Sequence, residues 1–301
     1  MPDYGHEVKA GVFLTPSSRS PREVVNLARL AEQVGLDLLA LQDHPYQPAF
    51  LDTWTLLSYL GAATERITLA PDVASLPLRQ PAVLARSVAS LDLLTGGRVE
   101  LGLGAGAFWD AIAAMGGPRR GPGEAVDALE QAIDIIRELW DPTRRLVRAG
   151  GDVYRLDGAK PGPAPAHGVE IWLGAAKPRM LRLTGRLADG WLPSSGWMPP
   201  ERFAAANAVI DGAAEAAGRS PAAVRRLYNI TGTFSASPGF LHGTPSTWVD
   251  QLGDLALEHG VSTFILVSDE PEMIRRFAGD VAPGLRELVA AERGAVRTEA
   301  R

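Results

Sequence analysis

The sequence predicts an α/β fold of the (β/α)8 TIM barrel type, and three observations carry that prediction. Short apolar runs alternate with amphipathic helical stretches eight times. The strand-like runs are apolar at nearly every position, as strands covered on both faces are. Eight such units fill roughly 250–300 residues, the span of one barrel, and the chain has 301. Alternation of this kind implies parallel strands joined by crossover helices; an open doubly wound sheet in two lobes is the alternative.

Each element has a local reason. Gly11-Val12-Phe13-Leu14 reads as a short buried strand. Ser20-Pro21-Arg22-Glu23 then sets Ser at an N-cap, Pro at the first helical position and Glu to close a capping box. That helix carries Val24, Leu27, Ala31 and Val34 on one stripe and stops at Gly35. Leu36 to Leu41 is the second strand, and Asp52 can cap a helix through Thr64. Ile67 to Val73 is the third strand; Pro81 opens a helix that Gly96-Gly97 ends; Val99 to Leu103 is the fourth strand. Glu124 to Trp140 is a long helix with Leu129, Ile133, Ile136 and Trp140 inward. Residues 146–166 interrupt the rhythm, with Gly150-Gly151 between two apolar pairs like a small hairpin. The alternation resumes with a strand at Val169 to Leu173 and a helix from Pro178 to about Ala188. A short strand at Trp191-Leu192, a helix from Pro200 to Ala217 and a strand from Leu227 to Thr233 follow. Pro245 opens a helix ending at Gly260, Ser262 to Val267 is the last strand, and Pro271 starts the closing helix. We therefore expect one barrel domain over residues 1–290, with the insertion at 146–166 before strand five, and a polar tail, 291–301, that frays.

Composition excludes whole classes. With 46% apolar and 22% charged residues, disorder, collagen and coiled coil are out. There is no cysteine, hence no disulfide, zinc finger, iron–sulfur cluster or thiol nucleophile. Five scattered histidines give no metal spacing. A net charge of −5 offers no basic field for nucleic acid, and the only lysines are Lys9, Lys160 and Lys177. Met1-Pro2-Asp3-Tyr4 begins no signal peptide, and no run approaches 18 apolar residues. The expectation is a cytoplasmic protein acting on a small molecule, with neither nucleic acid nor membrane as partner.

In a barrel, chemistry gathers at the C-terminal ends of the strands, and four such ends stand out. Strand two ends Gln42-Asp43-His44-Pro45, where Asp43 and His44 can place a proton donor or meet charge at a reacting ring; Asp as a loop cap and His bonded to backbone is the alternative. Strand three leaves through Pro71, Pro77 and Pro81, a shaped loop. Strand four, with Gly102, Gly104, Ala105, Gly106 and Ala107, imitates a dinucleotide fingerprint, but no helix starts at the glycines as that motif requires. Bare backbone there lets a flat ligand approach closely, or the small residues fill a tight barrel corner. Strand five ends Gly174-Ala175-Ala176-Lys177-Pro178 at a helix start, a seat for phosphate or a plain loop with a solvated lysine. No nucleophile elbow and no pair of catalytic carboxylates stands out, which leaves a bound flat, phosphorylated cofactor as the source of reactivity.

Leu38 through His44 (LLALQDH), the 67–81 stretch, Leu91 through Gly106 (LDLLTGGRVELGLGAG), Ile171 to Gly174 (IWLG) and Ala188-Asp189-Gly190-Trp191 together resemble the bacterial luciferase-like family. Each motif is weak, but the ordered set spans nearly the whole chain and is specific. The resemblance implies a (β/α)8 barrel that binds coenzyme F420 or FMN. It places Asp43 and His44 beside the cofactor ring as catalytic residues. Ser75, Gly104, Ala105 and Gly106 would lie along ring and ribityl chain, and Gly174, Ala175, Ala176 and Lys177 would hold the phosphate. Asp72-Val73 falls where several deazaflavin members carry a nonprolyl cis peptide behind the ring. Asp-His after strand two looks more like the deazaflavin branch than the Glu-His of many FMN members. Sugar-phosphate dehydrogenases of the family carry Glu where this chain has Ala107, which argues against sugar-phosphate oxidation. Phe13, Phe108, Trp109, Trp197 and Met198 would build an apolar substrate pocket instead, or serve as ordinary core.

The expected function is hydride transfer between coenzyme F420 and a small organic substrate. An FMN-dependent two-component monooxygenase, supplied by a separate reductase, is the alternative, and a non-catalytic flavin-binding barrel is a third. A homodimer is implied by the family, with contact surfaces on the helices that follow strands two and three.

Overall fold

The structure, a computed structural model, describes residues 4–235 and 237–299. Strand β1 (Lys9–Leu14) leads through α1 (Pro21–Gln33) to β2 (Leu38–Leu41), and α2 (Thr53–Ala63) leads to β3 (Thr68–Pro71) and β4 (Ala74–Ser75). Next come α3 (Pro81–Thr95), β5 (Leu101–Gly104), α4 (Trp109–Ala114) and α5 (Pro122–Trp140). A hairpin of β6 (Val147–Gly150) and β7 (Arg155–Ala159) precedes β8 (Ile171–Leu173), α6 (Pro178–Leu187) and β9 (Gly190–Trp191). The chain closes with α7 (Phe203–Ala216), β10 (Arg225–Ile230), α8 (Pro245–His259), β11 (Val261–Val267), α9 (Pro271–Arg276) and α10 (Ala282–Glu299).

The helix starts obey the local signals. Pro stands in the first turn of α1, α3, α5, α6, α8 and α9, where its missing N–H is no loss. Asp52 caps α2 by accepting from the Thr55 N–H at 2.9 Å, and left-handed glycines, Gly96 and Gly260, end α3 and α8. Ser20 occupies the N-cap of α1, but its hydroxyl makes no capping bond; the expected capping box does not form.

Nine strands make one parallel sheet in the order β3-β2-β1-β11-β10-β9-β8-β5-β4. The sheet curls until its ends nearly meet: Leu69 in β3 bridges Val99 just ahead of β5, with the Leu69 N–H donating to the Arg98 carbonyl at 2.8 Å. The result is a nearly closed, mostly parallel barrel wrapped by helices, built from nine strands rather than the expected eight. The extra strand comes from the expected run Ile67–Val73. β3 follows β2 as far as Pro71, the chain steps across at Asp72-Val73, whose peptide bond is cis, and β4 pairs with β5 instead. The insertion is the antiparallel hairpin that Gly150-Gly151 announced.

Carboxylates knit the opposite, N-terminal end of the barrel. Glu32 accepts the N–H groups of Glu65, Arg66 and Ile67, and fully buried Asp92 accepts those of Val99, Ala166 and His167. A buried carboxylate such as Asp92 is tolerated because both its oxygens are engaged, Oδ1 by Val99 and Oδ2 by Ala166 and His167. Residues 291–299, expected as a polar tail, continue helix α10; the first three residues and residues 300–301 lie outside those described. Among the described residues no helix is long and apolar enough to cross a membrane.

Candidate active site

The C-terminal ends of β2, β4, β5 and β8 surround a cavity of about 540 Å³, a volume in the range of small-molecule sites. Asp43, His44, Val73, Ser75, Gly104, Ala105 and Gly106 line it, with Gly174 and Lys177 at the far end. Sequence positions more than 130 residues apart thus meet because parallel strands all deliver their C-terminal loops to the same rim.

Val73 and the glycines make the floor. A Cβ on Gly104 would lie 2.6 Å from Cγ2 of Val73, and one on Gly102 would overlap the Pro71 carbonyl oxygen. The β5 glycines are therefore required by the tight seating of the β3–β4 step, which thrusts Val73 toward the cavity. The flat approach they leave for a ligand is the consequence.

Asp43 is 2% exposed, and its carboxylate is fully engaged. Oδ2 accepts from the Ser75 N–H at 2.9 Å and from Arg79 Nε at 2.7 Å, and Oδ1 accepts from Arg79 Nη2 at 2.7 Å. Arg79 also reaches Asp52 at 2.6 Å, so one guanidinium locks the loop after β2 to the loop after β4. A bidentate pair of this kind fixes the geometry of both side chains. Arg79 was not singled out in the sequence, where 36 residues separate it from its partner.

His44 is half-buried against Tyr46 and Phe108, with ring centroids 5.4 and 5.5 Å away. Its Nδ1 lies 2.6 Å from the Tyr46 hydroxyl. Burial lowers the His44 pKa from the ordinary value, against the opposing charge of Asp43, so the imidazole is neutral at pH 7. Burial, and then the Asp43 charge, pushes Tyr46 up to about 12. A protonated phenol beside a neutral imidazole can donate to Nδ1, with the ring proton on Nε2, or accept from Nδ1–H, which leaves Nε2 free to take a proton. Tyr46 thereby orients the ring that lines the cavity, partnering Nδ1 in either tautomer. It too escaped the sequence reading; its only signal is the spacing His-Pro-Tyr.

Other expected site residues lie elsewhere. Asp72 does not wall the cavity: its carboxyl turns inward, with Oδ2 buried and unpartnered, and burial pushes it up to about 7 against a hydrogen bond from Asn229. Ala175 is buried, its carbonyl accepting from Trp191 Nε1, and Ala176 packs on the core. Of the proposed aromatic pocket only Phe108 and Trp109 reach the cavity. Phe13 packs inside the barrel with Val73, Trp172 and Ile265. Trp197 sits 77% exposed on a turn after β9, and Met198 is core.

At the far end, two helices present their N-termini to the same space. Pro122 and Gly123 open α5, and Lys177 precedes Pro178 of α6; neither helix has a side-chain cap. Unsatisfied N–H groups and the helix dipole make such ends anion seats, and Lys177 adds a charge with no ion pair among the described residues. Apolar flat floor, aromatic wall and cationic end fit a planar, phosphate-bearing cofactor such as F420 or FMN.

With that geometry in hand, the comparisons agree. The family model described as luciferase-like monooxygenase matches residues 6–237. An F420-dependent glucose-6-phosphate dehydrogenase of Nocardia farcinica is 34% identical over 244 residues, 77% of this chain and 70% of that one. The protein of the same name from Mycobacterium tuberculosis H37Rv is 29% identical over 316 residues, covering 94% and 91%. Among solved structures, an F420-dependent secondary alcohol dehydrogenase with an F420-acetone adduct superposes with TM-score 0.81 at 18% identity, over 93% of this chain and 99% of that one. A Streptomyces bottropensis monooxygenase follows the same fold, with TM-score 0.76, 20% identity and 91% and 99% coverage. The chain belongs to the luciferase-like monooxygenase family, and it is an oxidoreductase of that family.

Proposed function

We propose that this chain transfers hydride between coenzyme F420 and a small, largely apolar organic substrate carrying an alcohol or an unsaturated bond. The observation that carries the reading is one cavity with a Val73–glycine floor, a neutral histidine on its wall and a cationic end at Lys177. Similarity to F420-dependent relatives supports the cofactor. The nine strands count as eight barrel positions on this reading, β3 and β4 sharing the third.

Val73, Ala74, Ser75, Gly104, Ala105 and Gly106 would hold the ring and ribityl chain; Gly174, Lys177 and the open ends of α5 and α6 would hold the phosphate. Bound F420 supplies a carbon that carries hydride and does not activate oxygen. Tyr46, Phe108 and Trp109 keep the substrate side apolar and exclude water. His44 Nε2–H donates its proton to a substrate oxygen as it is reduced, with Nδ1 taking the Tyr46 hydroxyl proton in turn; in alcohol oxidation, with the ring proton on Nδ1, Nε2 is free to accept one. Ala107 lines the cavity without a carboxylate, and Asp43, the one acid on its walls, is already bonded to Arg79. The site thus lacks the Glu expected of sugar-phosphate dehydrogenases, and we assign it no sugar phosphate.

Titrating the protein with F420 and with FMN, followed by fluorescence, tests the cofactor directly. F420 should bind at micromolar concentration or better, and Lys177→Glu should weaken it by about tenfold or more, the effect of turning a charge-assisted contact into repulsion. Binding of neither cofactor overturns the reading; unchanged affinity in Lys177→Glu removes the phosphate seat.

A further inference from the structure

We propose that Asp72 is a neutral carboxylic acid whose pairing with the Asn229 amide props the Val73 floor, and that loss of its proton weakens the hold of that floor on the cofactor. The inference goes beyond the reading above and rests on it only for the flat cofactor lying on Val73. Asp72 follows the last residue of β3 and immediately precedes Val73, which lines the cavity. Its N–H donates to the Leu41 carbonyl at 2.7 Å, and its carboxyl reaches inward to Asn229 of β10. In the sheet order β10 stands four strands from β3, on the far wall of the barrel. The pair is therefore a beam across the barrel interior beside the floor. Ala70, Leu192, Leu227 and Ile265 fill that interior, with Val73 packed on them.

Two buried oxygens carry the argument. Asp72 Oδ2 and Asn229 Oδ1 are each sealed from solvent with no hydrogen-bond donor, while Asn229 Nδ2 donates to Ser194 Oγ at 3.1 Å and toward Asp72. A buried acceptor left unsatisfied is costly. An ionised carboxylate has no hydrogen to give and leaves both oxygens empty. A protonated one donates from Oδ2 to the amide oxygen while its other oxygen accepts the amide N–H, and one proton satisfies the pair. The elements packed on the step bring no charge to it: β2 offers the Leu41 carbonyl, β5 offers Gly102 and Gly104, and β10 offers Asn229. At the same rim Asp43 and Arg79 neutralise each other. Burial, opposed only by Asn229, pushes Asp72 up to about 7, and an apolar site of this kind keeps a carboxylic acid available as a donor near neutral pH. Ionisation at higher pH removes that donor, loosens the beam and sets a negative charge beside a cofactor that is itself an anion.

Two measurements test the pair. Infrared difference spectra of the protein without cofactor, wild type minus Asp72→Asn, should show the carbonyl band of a protonated carboxylic acid at pH 6 that fades by pH 8.5. Glu100 is also pushed up to about 7, and the subtraction removes its band. Asn229→Leu should move the Asp72 band to the frequency of an unbonded acid. Calorimetric titration with F420, or with FMN, should show the wild-type Kd rising about tenfold or more over the same pH range. Asp72→Asn, whose amide keeps a donor at every pH, should stay within about threefold. The loss falls on affinity; turnover at saturating cofactor does not follow it. Absence of the band at pH 6, a band that Asn229→Leu leaves in place, or equal pH dependence of Kd in wild type and Asp72→Asn overturns the proposal while the cofactor reading stands. Binding of neither cofactor overturns that reading, and the infrared spectra still decide the state of Asp72.

Discussion

Replacing His44 with glutamine is expected to lower turnover by about two orders of magnitude or more, the contribution of a positioned acid–base group. Cofactor affinity should change little, because His44 stands on the substrate side, against Phe108, rather than on the Val73 floor or at the Lys177 end. The pH profile gives a second signature. Burial holds the His44 pKa below its ordinary 6.5, so the ring that must accept a proton during alcohol oxidation is neutral at pH 7. Activity in that direction should be flat near neutrality and fall only as pH drops below 6.5, through the depressed value. The same shift makes the folded protein bind fewer protons here than the unfolded chain, so the stability linked to His44 is present above 6.5 and is lost as pH falls. Tyr46→Phe should keep the ring in place but take the hydrogen-bond partner from Nδ1, giving a smaller loss in turnover than His44→Gln. Steady-state rates across pH 5 to 9 for the three proteins check this. A His44→Gln enzyme with wild-type turnover and an unaltered acid limb would remove His44 from the chemistry.

Arg79→Ala should be among the most destabilising single changes in the molecule. It leaves the Asp43 carboxylate, whose side chain is 0% exposed, with only the Ser75 N–H for company. Removing one partner of a buried pair costs about 3–5 kcal/mol, and for a domain of this size that lowers the melting temperature by roughly 10 °C. The α2 cap loosens too, since Arg79 also holds Asp52. Because Asp43 and Ser75 line the cavity, cofactor affinity should fall with stability. Asp43→Asn should be milder, since the amide oxygen can still accept. Calorimetry and cofactor titration on both variants decide the matter: a stable Arg79→Ala protein with intact affinity would show that the latch does not hold the site.

The barrel was legible because its signals are local. Pro at helix starts, Asp52 at a cap, glycine at helix ends and fully apolar strands each announce an element within a few residues, and their repetition announces the fold. The split of the third strand was not legible, because it depends on β3 and β4 choosing different neighbours across the sheet. The site was legible where function follows strand ends: His44, Val73, Ser75, Gly104 and Lys177 meet in one cavity as placed. It was hidden where roles depend on partners distant in sequence. The partner that holds Asp43, Arg79, lies 36 residues on, and Phe13 and Trp197 read as pocket walls until the barrel interior takes one and solvent the other. The tail beyond residue 290 is polar, yet it holds helix because α10 is already nucleated by its packed first half, and extension is easier than initiation.

The most direct test of the central claim is anaerobic. Reduced F420, the protein and a panel of small ketones and enones are mixed without oxygen, and the visible absorbance of the oxidised deazaflavin is followed. The claim predicts protein-dependent oxidation of the cofactor with formation of one reduced product per cofactor, slowed about a hundredfold or more in His44→Gln. No turnover with F420, together with product formation only from reduced FMN with uptake of oxygen, would contradict it.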